Sequence, residues 1–336
     1  MMAILSTSLR RVGFALAISS GAVAMAPWPG LAAARQPAAP AARYRLSATV
    51  KVGTMPTGVA VNSTTGRVYV TNNGANSVSV INGRTRKVLA TVPVGPHPVL
   101  DAVDPRTNRI YVGDDLGVSV INGRTNAVTT TLSIGRGNAG IAVDPATHTL
   151  YVAKLNLAEV VAINARSGAV VASIGVGRFP GGVAVDPATD TVFVANTIDG
   201  TVSVINGRTL AVTTTIPVGG SPNLLAANPA TNTVYVPDFD GDTVTVISGR
   251  TDAVTARIHI TGLVAAAVDP RTSTVFVTRQ HEMSVISGRT NTKTQTIRVG
   301  RLPYGLAVNT RTGVVYVANQ NGGTASVLVP VPAKRG

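Results

Sequence analysis

The sequence contains no cysteine, one tryptophan and only two glutamates among its 336 residues. Without thiols the chain has no disulfide bond and no thiolate metal site, and it lacks the acylated cysteine of a lipoprotein. Aromatic residues make up 4% of the chain and charged residues 13%. The two glutamates, Glu159 and Glu282, do not form a paired-glutamate motif. The scarcity of aromatics disfavours a base-stacking surface for nucleic acid.

Long apolar runs are also missing, since none reaches the roughly 18–20 residues that a membrane-spanning helix needs. Near the N-terminus, Arg10 and Arg11 precede an apolar run over 12–25 and then small-residue sites. That order predicts a secretory signal peptide, and the paired arginines resemble a twin-arginine signal. An uncleaved anchor or a buried helix is the alternative. We therefore expect a secreted or extracytoplasmic protein, in the periplasm or at the cell surface, that does not span the membrane after signal removal.

Composition divides the chain into four segments. Residues 1–34 form the predicted signal peptide, and a Pro/Ala-rich stretch at 35–43 predicts a linker. Residues 44–332 form the predicted folded domain, and 333–336 form a short tail. The chain is 45% hydrophobic, with 34 glycines and 20 prolines. This mixture is typical of a strand-and-turn protein with an ample core.

A repeat of about forty residues is the strongest signal in the sequence. Aromatic residues in V-Y-V-like strands recur with successive spacings of 42, 40, 42, 42, 41 and 40 residues. Self-similarity at this period is typical of propellers and other repeat proteins. The seven aromatics are Tyr69, Tyr111, Tyr151, Phe193, Tyr235, Phe276 and Tyr316.

Each repeat predicts four short antiparallel strands, as the unit that begins near residue 176 illustrates. Its strands are predicted at 182–186, 192–195, 202–205 and 212–218, with an Asn206-Gly207 hairpin between the last two. Four strands per forty residues is the pattern of a propeller blade. Because blades stack face to face, we expect both faces of these Val/Ala/Ile-rich strands to be buried.

The two ends of the array predict a closed ring. Residues 46–52 match a fourth strand, whereas 325–329 match a third strand with no fourth after it. The first segment therefore completes the last blade, which leaves no unpaired sheet edge at the junction. The predicted fold is an all-β, seven-bladed β-propeller of four-stranded antiparallel blades, with the last blade closed by the N-terminal strand.

The strand motifs carry a family resemblance. Tyr69-Val70-Thr71-Asn72 is a literal Y-V-T-N, and Phe193-Val194-Ala195-Asn196 and Tyr316-Val317-Ala318-Asn319 are close variants. With P-x-G-V-A-V before and S-V-S-V-I after them, residues 44–331 resemble the YVTN (YncE-like) β-propeller repeat family. The resemblance implies an exported, surface-layer-like propeller and no common reaction.

Antiparallel connectivity sorts the loops into two rims. The lead-in loops connect a fourth strand to the first strand of the next blade. They share the upper rim with the second-to-third connections, and the other connections form the lower rim.

The formal net charge is +14, and such a basic chain fits an anionic cell-envelope polymer. The alternative is a solvated turn residue copied with the repeat, beside turn aspartates such as Asp104 and Asp186. Six blades carry the hairpin arginines of the lower rim, Arg84, Arg124, Arg166, Arg208, Arg250 and Arg289.

The upper rim carries a sparser, mixed set of charges. Three lead-in loops carry Arg136, Arg178 and Arg301. The last position of the Y-V-T-N motif also varies, and this mixture fits either a small anionic or zwitterionic ligand or a tolerant strand end. The residues at that position are Asn72, Asp114, Lys154, Asn196, Asp238, Arg279 and Asn319.

Asp101 breaks the core pattern, since the first-strand position that it occupies is apolar in other blades, as at Val59. A buried carboxylate without a partner costs several kcal/mol or is protonated. His97 and Arg136 are the candidate partners of a structural Asp101, and a ligand-binding Asp101 is the alternative. The aspartate-rich segment 238–242 lacks the spacing and distal glutamate of a calcium loop, and we expect no metal site.

No catalytic constellation emerges, so we expect a non-enzymatic, monomeric binding or protein-interaction scaffold without a cofactor. The expected partner is an unknown protein or an anionic cell-envelope polymer. The first alternative is a propeller hydrolase or lyase, lactonase-like, with an upper-rim site at His97 and Asp101. The second alternative is polyanion binding through the arginines of the lower rim.

Overall fold

The structure is a computed structural model that describes residues 42–332. The predicted signal peptide, residues 35–41 of the predicted linker and the tail lie outside the described residues. The described part contains 28 strands and two short 3-10 turns, Asn73–Ala75 and Gln320–Gly322. Its strands form seven antiparallel sheets of four, which confirms the predicted all-β, seven-bladed propeller.

The strands of each blade follow one another from the innermost to the outermost. Blade 1 contains β2 (Pro56–Asn62), β3 (Arg67–Asn72), β4 (Ser77–Asn82) and β5 (Val88–Pro93), blade 2 contains β6 (Asp101–Asp104), β7 (Arg109–Asp114), β8 (Gly117–Asn122) and β9 (Ala127–Leu132), and blade 3 contains β10 (Asn138–Asp144), β11 (Thr149–Lys154), β12 (Glu159–Asn164) and β13 (Val170–Gly175). Blade 4 contains β14 (Pro180–Asp186), β15 (Thr191–Asn196), β16 (Thr201–Asn206) and β17 (Ala211–Pro217), blade 5 contains β18 (Ala226–Asn228), β19 (Thr233–Asp238), β20 (Thr243–Ser248) and β21 (Ala253–His259), and blade 6 contains β22 (Leu263–Asp269), β23 (Thr274–Arg279), β24 (Glu282–Ser287) and β25 (Thr292–Arg298).

Blade 7 joins the two ends of the described chain. It contains β26 (Pro303–Val308), β27 (Val315–Asn319), β28 (Thr324–Val331) and, as its outermost strand, β1 (Arg43–Lys51). β1 pairs with β28 from Arg43 opposite Val331 to Lys51 opposite Thr324. The predicted closing strand is therefore confirmed, and it begins at Arg43, inside the stretch that composition assigned to the linker.

The first strands of neighbouring blades contact one another all the way round the ring. β2 contacts β6, contacts continue in order through β10, β14, β18, β22 and β26, and β26 contacts β2. The first strands therefore surround the axis, and the fourth strands form the outside. This arrangement fixes which side chains face the central channel and which face solvent.

The core consists of seven apolar clusters, one at each interface between neighbouring blades. The seven repeat aromatics are at most 1% exposed and lie at these interfaces. Second and third strands are buried on both faces, as expected. The fourth strands are not: Ala127–Leu132, for example, is largely exposed, because no element among residues 42–332 packs on the outside of the ring.

No helix within residues 42–332 is long and apolar enough to cross a membrane.

Candidate functional site

The hairpin arginines are all exposed on tight turns between the third and fourth strands. In blade 1, the backbone N–H groups of Arg84 and Thr85 both donate to Asn82 Oδ1 at 3.0 Å. A side chain that caps its own turn fixes the backbone and leaves the arginine side chain in solvent. The same pair of bonds recurs in blades 2 to 4, where the acceptors are Asn122, Asn164 and Asn206.

The aspartates that end four first strands are buried beneath this rim. Asp104, Asp144, Asp186 and Asp269 are at most 1% exposed, and each accepts a hydrogen bond from the backbone N–H two residues later. These buried carboxylates therefore cap the backbone of the turns and are not exposed to solvent. The ion pairs within residues 42–332 include none of the hairpin arginines.

Arg166 is the hairpin arginine with a side-chain partner inside the described chain. Its Nη2 donates to His148 Nε2 at 2.7 Å, and His148 Nδ1 lies 3.3 Å from Asp104 Oδ2. Because Nε2 accepts here, the imidazole proton lies on Nδ1 and is shared with Asp104. Arg166 is therefore held in place.

Two further lower-rim arginines brace the next blade instead of facing solvent. Arg67 Nη1 donates to Asn126 Oδ1 at 3.0 Å and to the carbonyl oxygen of Gly123. Arg109 Nη1 donates to the carbonyl oxygen of Ala165 at 3.0 Å. Both side chains are half-buried, and each stabilises the third-to-fourth-strand hairpin of the following blade.

The tyrosines of the repeat also position these hairpins. Each of three tyrosine hydroxyls donates to a backbone carbonyl oxygen in the hairpin of the following blade. Tyr316 bonds to Gly83 at 3.3 Å, Tyr111 to Ala165 at 3.3 Å and Tyr235 to Gly288 at 3.4 Å. The motif residue that identifies the repeat therefore links the core to the lower rim.

The two rims differ in their numbers of charged residues. The count covers the loops and the strand ends of each rim, and Asp101 belongs to neither rim. The lower rim carries fourteen basic and six acidic residues, whereas the upper rim carries seven basic and eight acidic residues. The lower-rim basic residues are Arg43, Arg67, Arg84, Arg86, Lys87, Arg106, Arg109, Arg124, Arg166, Arg208, Arg250, Arg271, Arg289 and Arg311, and the acidic ones are Asp104, Asp144, Asp186, Asp190, Asp252 and Asp269. The upper-rim basic residues are Lys51, Arg136, Lys154, Arg178, Arg279, Arg298 and Arg301, and the acidic ones are Asp114, Asp115, Glu159, Asp199, Asp238, Asp240, Asp242 and Glu282.

The asparagines of the Y-V-T-N motif are buried inside the upper rim, and two of them, Asn72 and Asn319, form hydrogen bonds at both side-chain atoms. Asn72 Oδ1 accepts a bond from Gly53 N–H at 3.1 Å, and its Nδ2 donates to Ser79 Oγ at 3.0 Å. Asn319 makes the matching bonds to Gly300 and Ser326. The position thus ties the lead-in loop to the third strand.

The residues that replace asparagine at this position in blades 2, 3 and 5 also have buried, inward-pointing side chains. Lys154 is 2% exposed, and its Nζ donates to the carbonyl oxygens of Ile134 and Gly135 and to Asn138 Oδ1 at 2.8 to 3.0 Å. Burial lowers its pKa. Asp114 and Asp238 are also buried and accept backbone N–H groups. Lys154, a predicted ligand group, is therefore committed to internal acceptors.

The remaining predicted upper-rim cations lie at the surface. Arg178 Nε forms a 2.6 Å ion pair with Asp199, and the hydrogen bonds from Arg178 lower the pKa of that carboxyl. Arg279 lies 3.7 Å from Glu282. Arg136 and Arg301 are exposed on separate lead-in loops, so the structure does not gather these four arginines into one described pocket.

His97 and Asp101 are not brought together as the sequence suggested. His97 is exposed, and its Nδ1 lies 3.0 Å from Asp115 Oδ2. Asp101 is 9% exposed, and neither of its carboxyl oxygens has a hydrogen-bond partner with good geometry among the described residues. Neither His97 nor Arg136 is therefore the partner of Asp101, and the lactonase-like alternative loses its proposed pair.

Asp101 instead lines a cavity of about 100 Å³ in the central channel. All seven blades contribute to its wall, blade 5 through Leu224 and Leu225 just before β18, and Asp101 is the one ionisable residue among the described lining residues. Burial raises the pKa of Asp101 to about 8, against the opposing influence of the Thr71 hydroxyl and nearby backbone N–H groups. The two carboxyl oxygens are buried beside Gly58 and Thr71 of blade 1 and do not face the cavity.

The aspartate-rich segment after β19 makes internal contacts. Asp240 Oδ2 accepts a bond from Ser221 Oγ at 2.6 Å, and Asp242 Oδ1 accepts one from Gly262 N–H at 2.9 Å. No group of three or more histidine, aspartate or glutamate side chains within residues 42–332 is arranged to hold a metal ion.

Comparisons with known proteins place the chain by its fold. The family model of the NHL repeat matches residues 54–81, which include the first three strands of blade 1 up to Ile81. A chain of the Kuenenia stuttgartiensis hydrazine synthase is similar with a TM-score of 0.74 and 17% identity, over 85% of this chain and 98% of that one. Among curated proteins, none matches. The chain is a β-propeller repeat protein. At 17% identity the structural likeness shows the fold alone.

Three contributors to these sites were not predicted. They are the tyrosine hydroxyls, the inward turn aspartates and Thr71 beside Asp101. The aspartates had a usable signal, because Asn62, Asn228 and Asn309 replace them in other blades, and an asparagine–aspartate exchange before a turn indicates a capping side chain. The other two depend on contacts between blades, which local sequence does not display.

Proposed function

We propose that the protein is an exported, non-enzymatic binding propeller of the YVTN-like kind, and that it docks through its lower rim on an anionic polymer of the cell envelope. Export rests on the signal-peptide pattern of residues 1–34. The docking surface rests on one observation. The hairpin arginines of the lower rim are exposed, while four of its aspartates are buried inside the turns.

The chemistry of the arginine side chain favours phosphate groups. A guanidinium group is planar, permanently charged and able to donate two parallel hydrogen bonds to one phosphate. Five of the six hairpin arginines have no described side-chain partner, so they can meet a ligand without first breaking an internal bond. One hairpin arginine in each of blades 1 to 6 gives a regular array.

A regular array suits a repeating ligand better than a single small molecule. A polymer that contacts one arginine places its next phosphate groups close to the neighbouring blades, which raises their effective concentration. The seven repeat aromatics are buried at the blade interfaces and provide no stacking surface for bases. A polyol-phosphate polymer therefore fits the lower rim better than a nucleic acid.

The test measures binding of the mature domain to poly(glycerol phosphate) over a range of salt concentrations. We expect the logarithm of the affinity to fall linearly with the logarithm of salt concentration, because phosphate contacts release counterions. A variant with all six hairpin arginines changed to serine should lose at least about tenfold in affinity.

Two results would overturn the proposal. One is affinity for the polymer that is unchanged in the six-serine variant. The other is single-stranded DNA binding that is tighter than polymer binding at equal phosphate concentration, which would make nucleic acid the better ligand.

A further inference from the structure

His148 occupies a turn position that the other blades fill with smaller side chains or glycine. It precedes β11 in the first connection of blade 3, and its φ of 58° lies in the left-handed region. This backbone favours glycine and asparagine and disfavours bulky side chains. The turn therefore does not need an imidazole ring. The residues at the equivalent position, all with positive φ, are Gly66, Asn108, Asp190, Asn232, Ser273 and Gly313.

The imidazole of His148 bridges two charged side chains of the lower rim. Its Nδ1 atom lies 3.3 Å from Oδ2 of Asp104 in blade 2, and its Nε2 atom accepts a bond of 2.7 Å from Nη2 of Arg166. The side chain of His148 is 13% exposed and that of Asp104 is buried, whereas Arg166 lies at the surface. The ring therefore connects the buried charge of one blade to the exposed charge of the next.

The bond from Arg166 requires the neutral form of the imidazole. A guanidinium group only donates, so Nε2 must supply a lone pair, and the one N–H of the neutral ring is then Nδ1–H, which faces Asp104. Protonation of His148 places a second N–H on Nε2. The acceptor for Arg166 is then lost and a positive charge lies beside its guanidinium group, so the arginine side chain must move away into solvent.

Charged groups of blades 2, 3 and 4 surround this bridge. Arg109 of blade 2 braces the hairpin that carries Arg166, and Asp144 of blade 3 caps the turn that contains His148. In blade 4, burial raises the pKa of Asp190, and the charge of Asp144 raises it further. Asp190 is therefore a second group that titrates in this part of the rim, and an experiment must separate its protonation from that of His148.

We propose that His148 is a pH-sensitive switch of the lower rim, in which protonation of the imidazole releases Arg166 and strengthens the binding of an anionic polymer. This inference rests on the proposed function of that rim. The other five hairpin arginines have no described side-chain partner, and the switch adds Arg166 to them. It also adds the positive charge of the imidazolium ring itself. The lower rim therefore holds its polymer more tightly when the surroundings become acidic.

The switch has a measurable consequence for the salt dependence of binding. Histidine is the side chain whose charge ordinarily changes between about pH 5 and pH 8, whereas arginine keeps its charge over that range. A released arginine and an imidazolium ring each add about one phosphate contact. The slope of log affinity against log salt concentration should therefore be steeper by about one to two units at the acidic end.

The experiment measures binding of poly(glycerol phosphate) to the mature domain at about pH 5 and about pH 8. His148→Asn is the test variant, and it should fold because asparagine occupies this position in blades 2 and 5. Asp190→Asn is the matched control, since it removes the other titratable group at the same position in blade 4. We expect the wild type and Asp190→Asn to bind about three- to tenfold more tightly at the lower pH, and His148→Asn to lose most of that gain.

The release of Arg166 is measured separately, without polymer, by nitrogen-15 NMR of the mature domain over the same pH range. We expect the guanidinium signals of Arg166, assigned by their loss in Arg166→Ser, to change with the same midpoint as the ring signals of His148.

Two outcomes would overturn the switch. One is a set of Arg166 signals that stays unchanged while His148 titrates, and the other is a gain in affinity at low pH that persists in full in His148→Asn. Absence of polymer binding at both pH values would instead refute the proposed function, while the NMR titration would still decide whether Arg166 is released.

Discussion

On the lower rim, four acidic side chains are buried inside the turns and the hairpin arginines are exposed. On the upper rim, some charges of each sign are buried and others form ion pairs at the surface. Asp186 and Arg208 represent the first arrangement, and Lys154 and the Arg178–Asp199 pair represent the second. Both rims come from the same repeat. The comparison teaches that the surface charge of a repeat protein depends on which turn residues cap the backbone, as well as on how many charged residues of each sign the repeat contains.

The largest expected effect is a difference in the free energy of unfolding between two variants, one that removes a buried cation of the upper rim and one that removes an exposed cation of the lower rim. Lys154→Met should leave the carbonyl oxygen of Ile134 and Asn138 Oδ1 without a donor, at a cost of about 2–3 kcal/mol in the free energy of unfolding. Gly135 keeps its bond from Asn138 Nδ2. Arg208→Met on the lower rim should change it by no more than about 0.5 kcal/mol. Denaturant unfolding measures both, and equal effects would remove the distinction between the rims.

The next effect tests the capping role of the lower-rim aspartates. Asp186→Ala removes the acceptor for Ala188 N–H and should cost about 1–2 kcal/mol. Asp186→Asn should be nearly neutral, because Asn309 accepts the equivalent bond from Arg311 in blade 7. If the asparagine variant were as unstable as the alanine variant, the charge of Asp186, and not its capping bond, would be what stabilises the turn.

A smaller effect tests how the core holds the lower rim. Tyr316→Phe removes the hydrogen bond to Gly83 and should cost about 1 kcal/mol in the free energy of unfolding. Tyr151 is the matched control, because its buried hydroxyl has no described partner. Tyr151→Phe should therefore cost nothing or stabilise the protein, and thermal or denaturant unfolding of the two variants would reveal a reversed order.

The smallest effect concerns the exposed ion pair of the upper rim. Arg178 and Asp199 lie at the surface, where solvent screens the pair and side-chain ordering opposes it. A double-mutant cycle with Arg178→Ala and Asp199→Ala should give nearly additive changes in the free energy of unfolding. Clear non-additivity would show that charge pairing organises the upper rim.

The sequence was sufficient for the fold because each blade is specified locally and repeatedly. The aromatics fix the period, the Asn-Gly turns mark the hairpins, and residues 46–52 reveal the closing strand by likeness to the other fourth strands. The sites were harder to predict, since they depend on contacts between blades. His97 is four residues from Asp101 in sequence, yet it contacts Asp115, while the environment of Asp101 comes from Gly58 and Thr71 in the preceding blade.

For the same reason, the sequence does not show which charged side chains are exposed and unpaired. The sequence places both Arg84 and Arg178 in loops, but only the structure shows that Arg178 has an exposed carboxylate within 2.6 Å. Side-chain direction at a turn depends on capping bonds that are made after the chain has folded, so a count of charges does not predict a binding surface.

The most direct test of the account compares two triple variants with equal net charge. One changes Arg84, Arg208 and Arg250 on the lower rim to serine, and the other changes Arg136, Arg178 and Arg301 on the upper rim to serine. Binding of each to poly(glycerol phosphate) is measured against salt concentration. We predict that the lower-rim variant loses at least about tenfold in affinity and about two to three units of salt slope, while the upper-rim variant binds as the wild type does. Equal losses in both variants would contradict the account, because net charge alone would then explain the binding.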